Sequence, residues 1–488
     1  MKKIITNIAL GLIYFSGFSQ SITARLVSNE NDKPIPYASI KTGEHTGVIS
    51  NEEGYFTIKN QIKTITISCM GYKNKILSTK DIKASNFIIK LSEATNQLSE
   101  VYISNKIPNA DSIIAQVRQN ISKNYDYELN KHSIFRRSSN YANFESLEFE
   151  IEKASHVSKK NIKKANADLR TLSQKVRESD MVHFTDFKGE LYAFNQDSSK
   201  LNVQKATKLI DYKNDFSIEE IQENAQNIVL TYLDTTKTYK VKTGIFKVED
   251  SLSLNGEDFK DDDKNEFELS NLNDETRALL GKAQFLDESF LSNITDKKHY
   301  EYTFKDATIS NNELNYIIHF EPRRGKSKYT GTLYVSDSTY AITRVDYNYY
   351  KKRHGGKVNL KLLLGIKYIA NVSEGTLLFE RHTNNMYQPK YIKHTSGSYF
   401  YVSRDLKFIE NSTAKNKIGF SFKIEGSNAN KEEILFTENS KLSLGDFETI
   451  NQEKKGTYQI LNKFDQTLWE SDETLEPLEE MKAFEGGE

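Results

Sequence analysis

The chain has 488 residues, and its 67 Lys+Arg balance 67 Asp+Glu, so no overall field draws it to nucleic acid. Its single cysteine, Cys69, excludes an intrachain disulfide, and its length is enough for two or three domains. Twenty-seven Tyr, 27 Phe and only 6 Pro point to aromatic-bearing strands and few extended linkers.

Lys2 and Lys3 precede an apolar run from Ile4 to Phe18, followed by Ser19-Gln20-Ser21. This pattern predicts a signal peptide over residues 1–20 and an exported protein, periplasmic or associated with the outer membrane. The run is too short and wrongly flanked for a membrane span. No cysteine directly follows it, so a lipidated N-terminus is not expected.

Residues 36 to 58 predict two β-rich runs joined by the polar turn Asn51-Glu52-Glu53-Gly54. Gly54 can take a positive φ there, and the Asn51 side chain can close the turn. Beyond it, Phe56 and Ile58 fall on one strand face. Ile65, Ile67 and Cys69 share a face of the next run, which makes Cys69 a small core residue rather than an activated thiol. Pro36-Tyr-Ala-Ser-Ile40, the Thr46-Gly47 to Phe56 turn, Ile67-Ser-Cys-Met-Gly-Tyr-Lys73 and Leu98-Ser-Glu-Val101 together resemble the carboxypeptidase-regulatory-like domain. That domain is common in envelope proteins of Bacteroidetes-type bacteria. The resemblance covers about residues 21 to 104 and implies a transthyretin-like β-sandwich without catalytic residues. The region after residue 105 is similar to the part C-terminal to this module in large flavobacterial envelope proteins.

Val101 to Ser104 predicts a strand leading out of the module. Pro108-Asn109 then marks a boundary, and Ile113, Ile114, Val117 and Ile121 form an apolar stripe at helical spacing. Residues 147 to 180 are charged and lack Pro and Gly; they predict a long helix, broken near Leu172, with a solvated basic face. Ser217-Ile-Glu-Glu220 is a capping box that opens a helix with Ile218, Ile221, Ala225, Ile228, Val229 and Tyr232 inward. Asp258 to Glu268 is acidic but fails the calcium-loop pattern, since Glu266 stands where glycine is required and Leu272 where the closing glutamate is required. Another helix is expected from about Asp274.

From Tyr300 the period changes to two. Predicted strands include Asn315–Phe320, Tyr329–Val335, Tyr340–Tyr350, Leu360–Ala370, Thr376–Arg381, Tyr391–Val402, Gly419–Ile424 and Ile434–Thr437. The hairpin over Thr330–Val345 is similar to strand pairs of periplasmic lipoprotein-carrier half-barrels. Such a half-barrel implies a concavity, which the apolar stripes of the helices from Ser217 and Asp274 are expected to fill. In the tail, Trp469 is the expected anchor.

No His-Glu-x-x-His, Walker loop, nucleophile elbow or dinucleotide fingerprint is present. The strand-like segments hold His183, His319, His382 and His394, and His45 sits in the turn, without convergent spacing. No catalytic residue, cofactor or metal is therefore assigned. Two basic clusters, Arg323, Arg324 and Lys326 with Lys351, Lys352 and Arg353, are candidate surface-binding residues for lipid headgroups or acidic glycans. The expected fold is multidomain: an all-β transthyretin-like sandwich at 21–104, then an α+β domain with a large antiparallel sheet and several helices. That domain divides into a helix-rich region, 105–296, and a sheet region, 297–445, with a tail at 446–488. The expected function is an exported, non-enzymatic cell-envelope protein acting as a binding or accessory module, with an envelope protein, glycan or lipid as partner and peripheral membrane association. The alternatives are an envelope hydrolase, peptidase or glycosidase, and a periplasmic carrier of lipid or another apolar ligand.

Overall fold

A computed structural model describes residues 21–43, 46–94, 108–125, 127, 129–179, 181–194, 198–211, 221, 224–225, 228, 237–243, 246–253, 265–310, 313–382, 384–470 and 472–486. The segment expected to be a signal peptide, His45, the strand expected at Val101–Ser104, the capping box at Ser217 and most of the acidic run from Asp258 lie outside these residues. The described chain is mostly strand, with a few helices and one large sheet.

Two small sheets form the first module. β1 (Ser21–Ser28) pairs with β4 (Tyr55–Lys59) and β7 (Ile88–Leu91). β2 (Ser39–Lys41) pairs with β3 (Gly47–Ile49) and β5 (Thr64–Ser68), and β5 with β6 (Lys75–Ser78). A short helix, α1 (Thr79–Ala84), is capped by Ser78 and buries Ile82. Alternate residues of both sheets meet: Ile22, Ala24, Leu26 and Phe56 face Ile40, Ile65 and Ile67. Asn51 Oδ1 accepts from the Glu53 and Tyr55 amides and closes the turn, where Gly54 has φ 81°. Cys69 lies in this core, and burial pushes its thiol up to about 11, which leaves it inert.

The large sheet contains fourteen strands among the described residues. Its order is β14 (Tyr300–Ser310), β15 (Glu313–Pro322), β16 (Tyr329–Ser336), β17 (Ile342–Tyr349), β19 (Ile366–Arg381), β20 (Tyr387–Glu410), β21 (Lys417–Lys441), β8 (Asn130–Ala154), β9 (Met181–Ala193), β10 (Ser199–Leu209) and β23 (Gln459–Leu461). Off this path, β11 (Thr238–Thr243) pairs with β20 and with β12 (Phe246–Ser253), and β18 (Lys357–Leu360) pairs with β19. β13 (Glu266–Glu268) pairs separately with β22 (Lys455–Thr457).

The structure departs from the sequence pattern in several places. The region 105–296, expected to be helix-rich, contributes β8, β9 and β10 to the same sheet as the later strands. Residues 147–154 are the end of β8, and the helix begins only at Lys159. Leu147, Phe149 and Ile151 are buried while Glu148, Glu150 and Glu152 are exposed, a period of two that the glutamates disguised. The helix runs unbroken through Leu172. Gly419–Ile424 and Ile434–Thr437 belong to one long strand, β21. The strand expected over Leu360–Ala370 is interrupted at Lys361–Leu364 by a helical turn. The helix expected from Asp274 starts earlier, at Leu269, and ends at Lys282.

Both faces of the large sheet are covered. On one face lie α2 (Ala110–Gln119), α4 (Leu269–Lys282) and α5 (Phe290–Ile294), α2 against β14 and α4 against β10 and β20, in one core with side chains from β8 to β10, β14 to β17 and β19 to β21. The stripe Ile113, Ile114 and Val117 is buried there. On the same face α3 (Lys159–Glu178) packs on Phe144, Phe149, Ile418 and Phe420, together with helical Ile221 and Ala225. The opposite face receives the sandwich, through Tyr37 and Ile49, and the C-terminal segment, through Trp469 and Leu475. Alternation along β8 and β21 separates the two sides: Ile134 and Phe436 face the helices, Phe135 and Leu435 the sandwich.

Candidate functional site

The helices leave a gap. Between α4 on one side and α3 on the other, the sheet floors a groove with a volume of about 820 Å³. The concavity expected from the sequence to be filled by helices is therefore filled on either side of this groove and open between.

Strand register builds the floor. Ser373 of β19 lies opposite Ser396 of β20, Ser396 opposite Asn430 of β21, Asn430 opposite Asn140 of β8, and Asn140 opposite His183 of β9. Five strands thus place a straight row of polar side chains across the sheet, because each residue occupies the same pleat of its strand. The next row along holds Ser398, Asn428 and Ala142. Ser398 Oγ donates to Asn428 Oδ1 at 2.6 Å, and Asn140 Nδ2 donates to Ser138 Oγ at 3.0 Å. At the β16–β17 end stand Tyr329 and Tyr349, stacked with centroids 5.2 Å apart, and Tyr368. Phe400, Phe144 and Met181 form the apolar wall toward α3.

Lys282, Lys208, His183 and His394 are the lysines and histidines among the described lining residues, which include no Asp or Glu. Burial lowers the Lys282 amine, and no carboxylate pairs with it among the described residues. His394 Nδ1 lies 3.0 Å from Tyr347 Oη and 3.2 Å from the Glu374 carbonyl oxygen. Burial, and after it the Lys282 charge, pushes its imidazole down to about 4, so it is neutral at pH 7. Beside the floor, Arg136 of β8 donates from Nε to Glu432 at 2.9 Å, from Nη2 to Glu275 at 2.9 Å and from Nη1 to Thr276 at 2.9 Å, tying α4 to the sheet.

The six basic residues singled out from sequence lie elsewhere. Arg323, Arg324 and Lys326 form the turn between β15 and β16, and Lys351, Lys352 and Arg353 the turn after β17. The two turns are neighbours: Arg353 Nη1 donates to the Arg324 and Ser327 carbonyls. Arg353 is thereby a structural tie, while Arg323, Arg324, Lys326, Lys351 and Lys352 are exposed. His183 and His394 belong to the groove lining, whereas His319 and His382 do not. No group of His, Cys, Asp and Glu suited to a metal occurs among the described residues. The Ser and Asn residues of the floor carried no motif. Their one signal is that Ser396-Gly-Ser398 and Asn428-Ala-Asn430 interrupt apolar strands at period two.

Comparison with known proteins bears on the first module. No curated protein and no solved structure matches the chain. Residues 22–103 match the model of the CarboxypepD_reg-like domain, and the described sandwich from β1 to β7 begins within one residue of that span and ends inside it. The chain therefore carries a carboxypeptidase-regulatory-like domain ahead of its large sheet.

Proposed function

We propose that the protein is an exported, non-enzymatic component of the cell envelope that binds a hydroxyl-rich ligand, such as a glycan chain, in the groove. In this reading the sandwich is an accessory domain and the remainder one α+β domain. One observation carries it: a trough of about 820 Å³ floored by Ser and Asn side chains, flanked by tyrosines and without a carboxylate among its described lining residues. Amide and hydroxyl groups both donate and accept, matching sugar hydroxyls. Tyrosine faces suit the apolar faces of pyranose rings. Lys208 and Lys282 favour a ligand carrying anionic groups.

A glycosidase needs two carboxylates flanking the bond, and a zinc peptidase needs a ligand set. The described groove floor supplies neither pair nor set; the carboxylates of the adjoining cavity, Glu178, Asp211, Glu480 and Glu485, lie beyond Ala142 and Ser398 and form no metal-ligand group. An acyl carrier has less support, because a row of Ser and Asn side chains crosses the floor and helices fill the sheet face on either side of the groove. Titration calorimetry against envelope-derived oligosaccharides tests the proposal. Asn430→Ala and Tyr349→Ala should each weaken binding about tenfold, roughly the loss of one hydrogen bond or ring contact. Release of shortened products would instead favour the hydrolase, and co-purified lipid the carrier.

A further inference from the structure

The hairpin β18–β19 ends in a helical turn, Lys361–Leu364, that projects leucines into solvent. Leu362 is 101% exposed and Leu363 81%. Val358 and Leu360 on the same hairpin are also exposed, as is Tyr368 at the edge of the groove. Scattered exposed apolar residues are ordinary, but four on one hairpin make a patch.

The tip is held in place. Gly365 has φ 59°, and a Cβ there would stand 2.0 Å from the Ser403 carbonyl oxygen. The Ser403 amide donates to the Gly365 carbonyl at 2.8 Å, and the Gly365 amide to the Lys361 carbonyl at 3.0 Å. These bonds fasten the turn to β20 and fix its leucines outward.

Charge identifies the occupant. From Tyr347 to Ser373 the chain contains no Asp or Glu, while Lys351, Lys352, Arg353, Lys357, Lys361 and Lys367 are basic. Lys361 Nζ lies 3.8 Å from the centroid of the Tyr401 ring and Lys367 Nζ 4.7 Å from that of Tyr399. Leucines at the tip, lysines able to snorkel around it and tyrosines behind them have the order of an interfacial membrane anchor. A second copy at this tip would bring lysines against lysines. We propose that this hairpin inserts its leucines into the surface of an anionic lipid bilayer, with Lys357, Lys361 and Lys367 at the headgroups.

The test uses the full chain with vesicles of phosphatidylcholine alone or mixed with phosphatidylglycerol. Leu362→Cys, labelled with an environment-sensitive fluorophore, reports on the tip; buried Cys69 stays unlabelled. The expected result is a blue shift and quenching by lipid-borne quenchers with the anionic vesicles only. Leu362→Ser/Leu363→Ser should lower vesicle partitioning at least ~10-fold with an unchanged thermal melt, since these side chains are free in solvent. A label that stays in water while the protein pellets would overturn the proposal. So would partitioning unaffected by the double substitution, or a dimer in sedimentation that the substitution abolishes.

Discussion

Arg136 and Arg137 are consecutive in β8 and point to opposite faces of the sheet. Arg136 fastens α4 through Glu275, Thr276 and Glu432. Arg137 makes a two-pronged pair with Asp186 of β9, at 2.8 and 2.6 Å, and donates to the Leu475 carbonyl of the C-terminal segment. Asp186 is 1% exposed, so Asp186→Ala strands a guanidinium in the interior. The expected loss is about 3–5 kcal/mol, read as a lower midpoint in urea unfolding. A loss no larger than a surface substitution gives would mean that Arg137 finds another anion. His394 gives a second prediction, in pH. Burial and Lys282 push its imidazole down to about 4, whereas an unfolded chain protonates it near the ordinary ~6.5. Between those values the unfolded state binds more protons, so stability falls as pH drops from ~6.5 toward ~4 and gains no slope from this group above ~6.5. His394→Asn should flatten that part of the curve; melting curves at stepped pH that fall in parallel for both proteins would exclude the imidazole as the source.

Among the elements, α3 shows how a helix can finish a strand. β9 stops pairing with β8 at Ala142, so the later residues of β8 have β21 on one edge only. Asn166 of α3 closes part of the other edge: its Oδ1 accepts from the Ile151 amide at 2.8 Å and its Nδ2 donates to the Ile151 carbonyl at 3.1 Å. Asn166→Leu would leave both backbone groups buried and unpaired, at a cost of about 1–3 kcal/mol. Hydrogen exchange at the Ile151 amide should quicken in that variant, and unchanged protection would show that another group had taken the place of Asn166. The same element marks how far the sequence was legible. The sandwich could be read, because Gly54, Asn51 and the alternation beyond them are local signals. The end of β8, from Leu147 to Ala154, was misread, because a row of glutamates on its exposed face has strong helix propensity and the decisive partner, β21, is remote. The groove floor was invisible for a related reason. Ser396, Asn430, Asn140 and His183 become a row only through register between strands, which no local window contains.

At the scale of the whole molecule, the C-terminal segment joins the sandwich to the sheet. Trp469 meets Phe135 edge-on, with centroids 5.2 Å apart. Asn51 Nδ2 donates to the Glu476 and Pro477 carbonyls at 3.3 and 3.1 Å. Directly across the interface, Lys393 pairs with Glu52 at 2.6 Å and donates to Tyr37 at 3.0 Å. Trp469→Ala should cost about 3–5 kcal/mol and expose the segment after it to proteolysis under native conditions; a digestion pattern like that of the unsubstituted protein would assign the anchoring to the polar contacts alone. The pairing of β8 with β21 has a further consequence, in time. Arg136 and Glu432 are 296 residues apart, so at ~5–20 residues per second the ribosome finishes β21 about 15–60 s after β8. For that interval a long, apolar-faced strand waits without its central partner, and any neighbouring nascent chain offers the same unpaired edge. Joining β8 to β21 then requires a loop closure spanning more than half the polypeptide. Such a chain has a prolonged need for a holdase, and its yield should depend on chaperone supply more steeply than its finished stability would suggest.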